Sequence, residues 1–142
     1  MIKRHKICIA LGTRPEIIKL SPIIKELKIK KSNYFTVFSG QHFSKNMSSI
    51  FFNELGYNKI KYNLKNKKPN NSLSFIKNFY FNFFLILKKE KPSILIVQGD
   101  TNTCLVASLA AYNLKKNYNY NIKIVHIEAG LRSGARNIRR VK

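Results

Sequence analysis

The chain has 142 residues, 44% of them hydrophobic, and 27 lysines and arginines stand against six acids, for a formal net charge of +21. That length suits one domain with a buried core, and that apolar content excludes a disordered polycation. The longest apolar run, Phe79 to Leu87, is interrupted by Asn82 and is about half a bilayer span, so no membrane-spanning segment is expected.

In chain order, short apolar runs alternate with stretches of helical spacing, the pattern of βα units around a parallel sheet. The basic and then apolar start "MIKRHKICIALG" reads as a first buried strand over Lys6 to Leu11, not as a targeting segment. Ile17, Ile18, Leu20, Ile23, Ile24 and Leu27 then recur at helical spacing, with Pro15 suited to a first helical position. Pro22 lies inside that pattern and predicts a kink or a break. A second strand is expected over Tyr34 to Ser39, and a short helix in "SKNMSSIFFNELG" with Gly56 as its stop. A weak short strand near Ile60 to Leu64 precedes a basic loop. Ser72 is expected to cap a long helix reaching about Lys89, with Phe75, Phe79, Tyr80, Phe83 and Phe84 as a core-facing stripe. Ser93 to Gln98 reads as a fully apolar central strand. A helix rich in small residues follows over "TNTCLVASLAAYNLKK", and then another buried strand over Ile122 to Ile127. The fold class is therefore α/β, a Rossmann-like parallel sheet with helices on both faces.

Cys8 and Cys104 are far apart in apolar surroundings and read as reduced cytosolic thiols rather than a disulfide. Lys, Asn, Ile, Phe and Tyr dominate together, as AT-rich coding sequence yields, and the basic residues are spread along the chain. The charge favours a phosphorylated ligand and nonspecific adhesion to nucleic acid.

The chemistry gathers at strand ends. Gly12, Gly40, Gly99 and Gly130 each fall at or just after the C-terminal end of an expected strand, inside "GTRPE", "SGQH", "QGDT" and "IEAGLRSG". In an open parallel sheet the ligand crevice lies outside those ends. One rim thus collects Arg14, Lys19, Gln41, His42, Asp100, Glu128 and Arg132. Neither the dinucleotide fingerprint nor the P-loop pattern is present. Arg14 and free N–H groups at a helix start can meet a phosphate. Taken singly, Lys19 reads as a solvated helix residue, His42 as a base or a turn histidine, and His126 as structural. Asp100, the only aspartate, reads as a cap for the helix beginning at Thr101. Glu128 ends a strand expected to be buried, where an unpartnered carboxylate is costly.

The segments "LGTRPEIIKLSPIIKEL", "SGQH", "KPNNSL", "ILIVQGDTNT" and "VHIEAGLRSG", in this order, resemble the UDP-N-acetylglucosamine 2-epimerase family. The resemblance spans nearly the whole chain but less than half of a full-length member. It implies the first of two Rossmann-like domains facing a cleft, the GT-B arrangement, with residues 1–142 as one domain incomplete at its C-terminal end. The family inverts C2 of UDP-GlcNAc: a base removes the C2 proton as UDP leaves C1, and UDP re-adds to the resulting glycal with a proton delivered to the other face. Two faces call for more than one acid/base group, and the departing UDP needs charge stabilisation. By match of position, Asp100 and Glu128 are implied as catalytic carboxylates. Arg14, Lys19, Gly99 and Arg132 are implied as substrate-binding, and Gln41 and His42 as the loop for a regulatory UDP-sugar. No cofactor and no metal are implied.

One departure matters. After "EAGLR" the family carries a P-E-E-x-N-R element with a further carboxylate, whereas here the chain reads "SGARNIRRVK" and ends, so it reads as truncated. The resemblance implies a cytoplasmic protein of cell-surface polysaccharide biosynthesis, inactive alone, with a UDP-sugar and either a C-terminal-half chain or a second copy as partners. The alternatives are a non-catalytic UDP-sugar-binding or protein-interaction domain, a fragment of a hydrolysing epimerase that releases N-acetylmannosamine, and a nucleic-acid binder.

Overall fold

The computed structural model describes residues 5–41, 52, 54–57, 60–64 and 71–130. Among the described residues the five strands are β1 (Ile7–Leu11), β2 (Tyr34–Phe38), β3 (Tyr62–Asn63), β4 (Ile94–Gln98) and β5 (Lys123–Ile127). The helices bounded within the described residues are α1 (Arg14–Ile29), α2 (Ser72–Glu90) and α3 (Asn102–Tyr118). All strand pairs are parallel and the order is β3-β2-β1-β4-β5. The chain leaves β1 toward β2 on one side, and β4 joins β1 on the other. The order reverses between β1 and β4, which is where a doubly wound sheet opens a crevice.

Alternation along the strands explains the two cores. Cys8, Ala10, Phe35, Val37, Leu95 and Val97 face α2 and α3, against Phe75, Phe79, Phe83, Leu87, Val106, Ala107, Ala110 and Ala111. Ile9, Leu11, Phe38 and Ile96 face α1, against Ile17, Leu20 and Ile24. Successive residues of a strand point to opposite faces, so a sheet buried on both sides reads as unbroken apolar runs. The expected aromatic stripe is core: Phe75, Phe79 and Phe83 are buried, while Tyr80 and Phe84 pack at its margin. Both cysteines are free and buried.

Three expectations change. Helix α1 runs unbroken through Pro22. Proline there lacks the N–H that would serve the Ile18 carbonyl, and the Ser21 hydroxyl donates to that carbonyl at 2.8 Å instead. Helix α2 is capped by Asn71, not Ser72, because Asn71 holds the extended backbone (φ −159°) and its side chain accepts from Ser74 N–H at 2.8 Å. Strand β5 is not buried: Lys123, Ile124, Val125 and His126 are all exposed. Among the described residues it is the outermost strand on that side of the sheet, paired with β4. Most of the helix expected before Gly56 lies outside the described residues.

At the pole away from the strand ends, Glu90 closes α2 with its carboxylate nearly buried. It accepts from the Lys6 and Lys61 ammonium groups and from the Tyr62 hydroxyl. Lys6 first, then Lys61 and Tyr62, pull the Glu90 carboxyl down to about 2.

Candidate functional site

The turns after β1, β2 and β4 are knotted together by buried polar groups. Thr13 and Glu16 are three apart at the start of α1, and Glu16 reaches back to accept from the N–H groups of Gly12 (2.8 Å) and Thr13 (2.7 Å) and from the Thr13 hydroxyl (2.9 Å). Its other oxygen accepts from the Thr101 hydroxyl at 2.6 Å. Glu16 is fully buried, and its described donors, all neutral, tie the first turn to the turn after β4. Thr101 also caps α3, accepting from Cys104 N–H at 3.1 Å. Asp100 is therefore not the cap.

The second turn joins through Ser39, whose hydroxyl lies 2.7 Å from that of Thr103. The Gln41 side-chain carbonyl accepts from both the N–H (3.0 Å) and the hydroxyl (2.9 Å) of Thr103, so it serves the free N–H groups at the start of α3. Gly12 is required by this knot, because a Cβ there would overlap the Ser39 and Thr103 hydroxyls.

Outside the knot lies an open recess of about 350 Å³ at the strand-order reversal. Thr13 and Thr101, from the starts of α1 and α3, stand on its wall beside Gly99, Asp100 and Glu128. Lys19 reaches in from α1 and pairs with Glu128 at 2.6 Å. The Gln98 amide donates to the same Glu128 oxygen. The Lys19 ammonium first, and the Gln98 amide after it, hold the Glu128 carboxyl below its ordinary range. Glu128 has φ +60°, an uncommon backbone for a residue with a side chain and one that concentrates at functional positions. Asp100 is exposed in the same recess and makes no hydrogen bond or ion pair with any described residue. One carboxylate is thus tethered and ionised, and the other is open to a ligand.

The chain matches the UDP-N-acetylglucosamine 2-epimerase family over residues 25–139. The chain belongs to the UDP-N-acetylglucosamine 2-epimerase family. It is 49% identical over 129 residues to a UDP-N-acetylglucosamine 2-epimerase of Methanococcus maripaludis, covering 91% of this chain and 33% of the relative. It superposes on the Methanocaldococcus jannaschii UDP-GlcNAc 2-epimerase in complex with UDP-GlcNAc and UDP with a TM-score of 0.80 and 44% identity, over 92% of this chain and 34% of that one. The Neisseria meningitidis UDP-GlcNAc 2-epimerase bound to UDP-GlcNAc gives 0.77 and 35%, over 92% and 33%. The chain thus spans about a third of the length of the curated relatives it matches. Its parallel five-stranded sheet with helices is the Rossmann-like half of the epimerase structures.

Of the residues that the epimerase resemblance nominated, Lys19, Gly99, Asp100 and Glu128 line one recess. Arg14 opens α1 on the same rim, exposed, and is not part of the recess wall. Gln41 is engaged with Thr103. His42 and Arg132 lie outside the described residues. Sequence reading passed over Glu16, Gln98 and Thr101 as parts of the site. The spacing Thr13-x-x-Glu16 is a capping-box signal that could have found Glu16. Gln98 carried no signal, because it becomes a site residue only through a strand pairing that sets it beside Ile127 and next to Glu128.

Proposed function

We propose that this domain supplies one wall of a UDP-N-acetylhexosamine 2-epimerase cleft and is catalytically incomplete alone. The supporting observation is the recess itself: an ion-paired Glu128, an exposed Asp100 with no hydrogen bond to a described residue and two helix starts meet at the strand-order reversal of a chain from this family. The helix starts and Lys19 favour a phosphorylated ligand. Relatives solved with UDP-GlcNAc extend that reading to a nucleotide sugar.

In this reading the C2–H bond breaks with its proton passing to one carboxylate. The C1–O bond breaks with its electron pair leaving on UDP. On re-addition the second carboxylate returns a proton to the opposite face of C2. A diphosphate entering beside Lys19 competes with Glu128 for the ammonium group, and release from Lys19 raises the basicity of Glu128 toward the ordinary range. The opposite wall comes from a C-terminal polypeptide like the remaining two thirds of the relatives. Arg14 and Arg132 are assigned to the diphosphate, and Gln41 with His42 to a second UDP-sugar.

The test follows deuterium entry at C2 of UDP-GlcNAc in heavy water by proton NMR. The chain alone is expected to give none, and the chain mixed with the C-terminal two thirds of the Methanococcus maripaludis relative is expected to exchange. Asp100→Asn or Glu128→Gln should each lower that rate about 100-fold or more. Robust exchange by the chain alone would refute the need for a second wall, and indifference to both substitutions would refute the carboxylate assignment.

A further inference from the structure

Asp100 makes no hydrogen bond or ion pair with a described residue, so its place in the recess is set chiefly by its two neighbours. On one side Thr101 is bonded to buried Glu16. On the other side is Gly99, with φ +70° and no atom within 4 Å of where a Cβ would stand. Glycine in that region is conformationally soft, and no packed wall steadies it here. What holds Gly99 is hydrogen bonding from β5. Its N–H donates to the Ile127 carbonyl at 3.0 Å, and its carbonyl oxygen lies 2.6 Å from Nε2 of His126. A carbonyl can only accept, so Nε2 carries the proton. The Cys104 thiol, 3.4 Å from the same nitrogen, lies beside that N–H.

We propose that His126 is a positioning residue for Asp100: its Nε2–H holds the Gly99 carbonyl and thereby fixes the turn that presents the carboxylate. This rests on the acid/base reading of Asp100. Of the side chains exposed along β5, His126 alone is hydrogen-bonded to the site turn. Because it arises from β5 and crosses to the β4 turn, it couples the Asp100 turn to the strand that leads to Glu128. A small displacement of a reacting group is enough to lose much of its effect.

The test uses three substitutions in the otherwise unchanged chain. Gln at 126 can place an amide N–H near the Nε2 position, so H126Q should hold the turn. H126F removes the donor, and the shorter amide of H126N falls short of the carbonyl while keeping the position polar. Amide hydrogen exchange by NMR is expected to quicken about tenfold at Gly99 and its neighbours in H126F and H126N, with rates in α1 and α2 unchanged. H126Q should stay near the unsubstituted rate. In the complemented C2 assay the same order should hold, with H126F and H126N at least about tenfold slower than H126Q. The proposal is overturned if H126F and H126N leave the Gly99 to Thr101 rates unaltered, or if H126Q behaves as they do. Failure of the unsubstituted chain to support C2 exchange in the complemented mixture would count against the proposed function, and the hydrogen-exchange pattern alone would then judge His126.

Discussion

Glu90 and Glu128 are both carboxylates paired with lysine, yet they stand at opposite ends of the strands and meet different solvent. Glu90 is held by two ammonium groups and a phenol with little exposure. Its folded value of about 2 lies below its ordinary 4.5. A depressed carboxyl stabilises the fold fully above pH 4.5, and that contribution is lost as pH falls from there toward 2. Glu90→Gln should therefore cost about 1–3 kcal/mol at pH 7 and lose the acid-dependent step over that window, as read by urea unfolding at a series of pH values. Retention of the step in E90Q would assign it elsewhere. Glu128 is more open and its partner Lys19 is half exposed, so the pair is suited to exchange with a ligand rather than to stability. The placement of Asp100 and Glu128 beside one recess was legible from their position after apolar runs. The partner of Glu128 was not, since Lys19 is 109 residues away in the chain.

Helix ends carry the element-scale lesson. Asn71 and Ser72 are adjacent good cap formers, and composition cannot choose between them. The choice depends on which residue keeps an extended backbone as the chain enters α2, and that is Asn71. Asn71→Ala should lower stability by about 1 kcal/mol, whereas Ser72→Ala should change it by less than about 0.5 kcal/mol, measured as shifts in the urea midpoint. Equal effects would mean that the cap is shared. Pro22 shows the converse: a rule read locally predicts a kink or a break, yet the helix does not break, and one hydroxyl from Ser21 supplies the carbonyl that proline leaves without a donor. Strands β1, β2 and β4 fall within one residue of their expected bounds, because an apolar run ending at glycine or a polar residue is bounded by the same physics that buries it.

At the scale of the whole molecule, β5 is, among the described residues, the outermost strand on its side of the sheet. Ile124 and Val125 point to opposite faces of the sheet and are each 41% exposed. An exposed parallel edge with apolar side chains invites strand addition. Ile124→Lys should reduce concentration-dependent association in light scattering while moving the unfolding free energy by less than about 0.5 kcal/mol. Unchanged association would place the contact on another surface. The formal charge of +21 opposes self-association only at low salt, where screening is weak. Among the described residues no helix is long and apolar enough to cross a membrane.

Sequence by itself determined the α/β class, the run of strands and helices, and the gathering of glycines and polar residues at strand ends. Each of these follows from local periodicity and from where an apolar run stops. Only the tertiary structure decided the exposure of β5, the bond between Glu16 and Thr101 and the hold of Lys19 on Glu128. It also decided that His126 reaches the Gly99 carbonyl. Those contacts join residues from separate βα units, and their distances are set by the order and register of the strands, which no local pattern encodes.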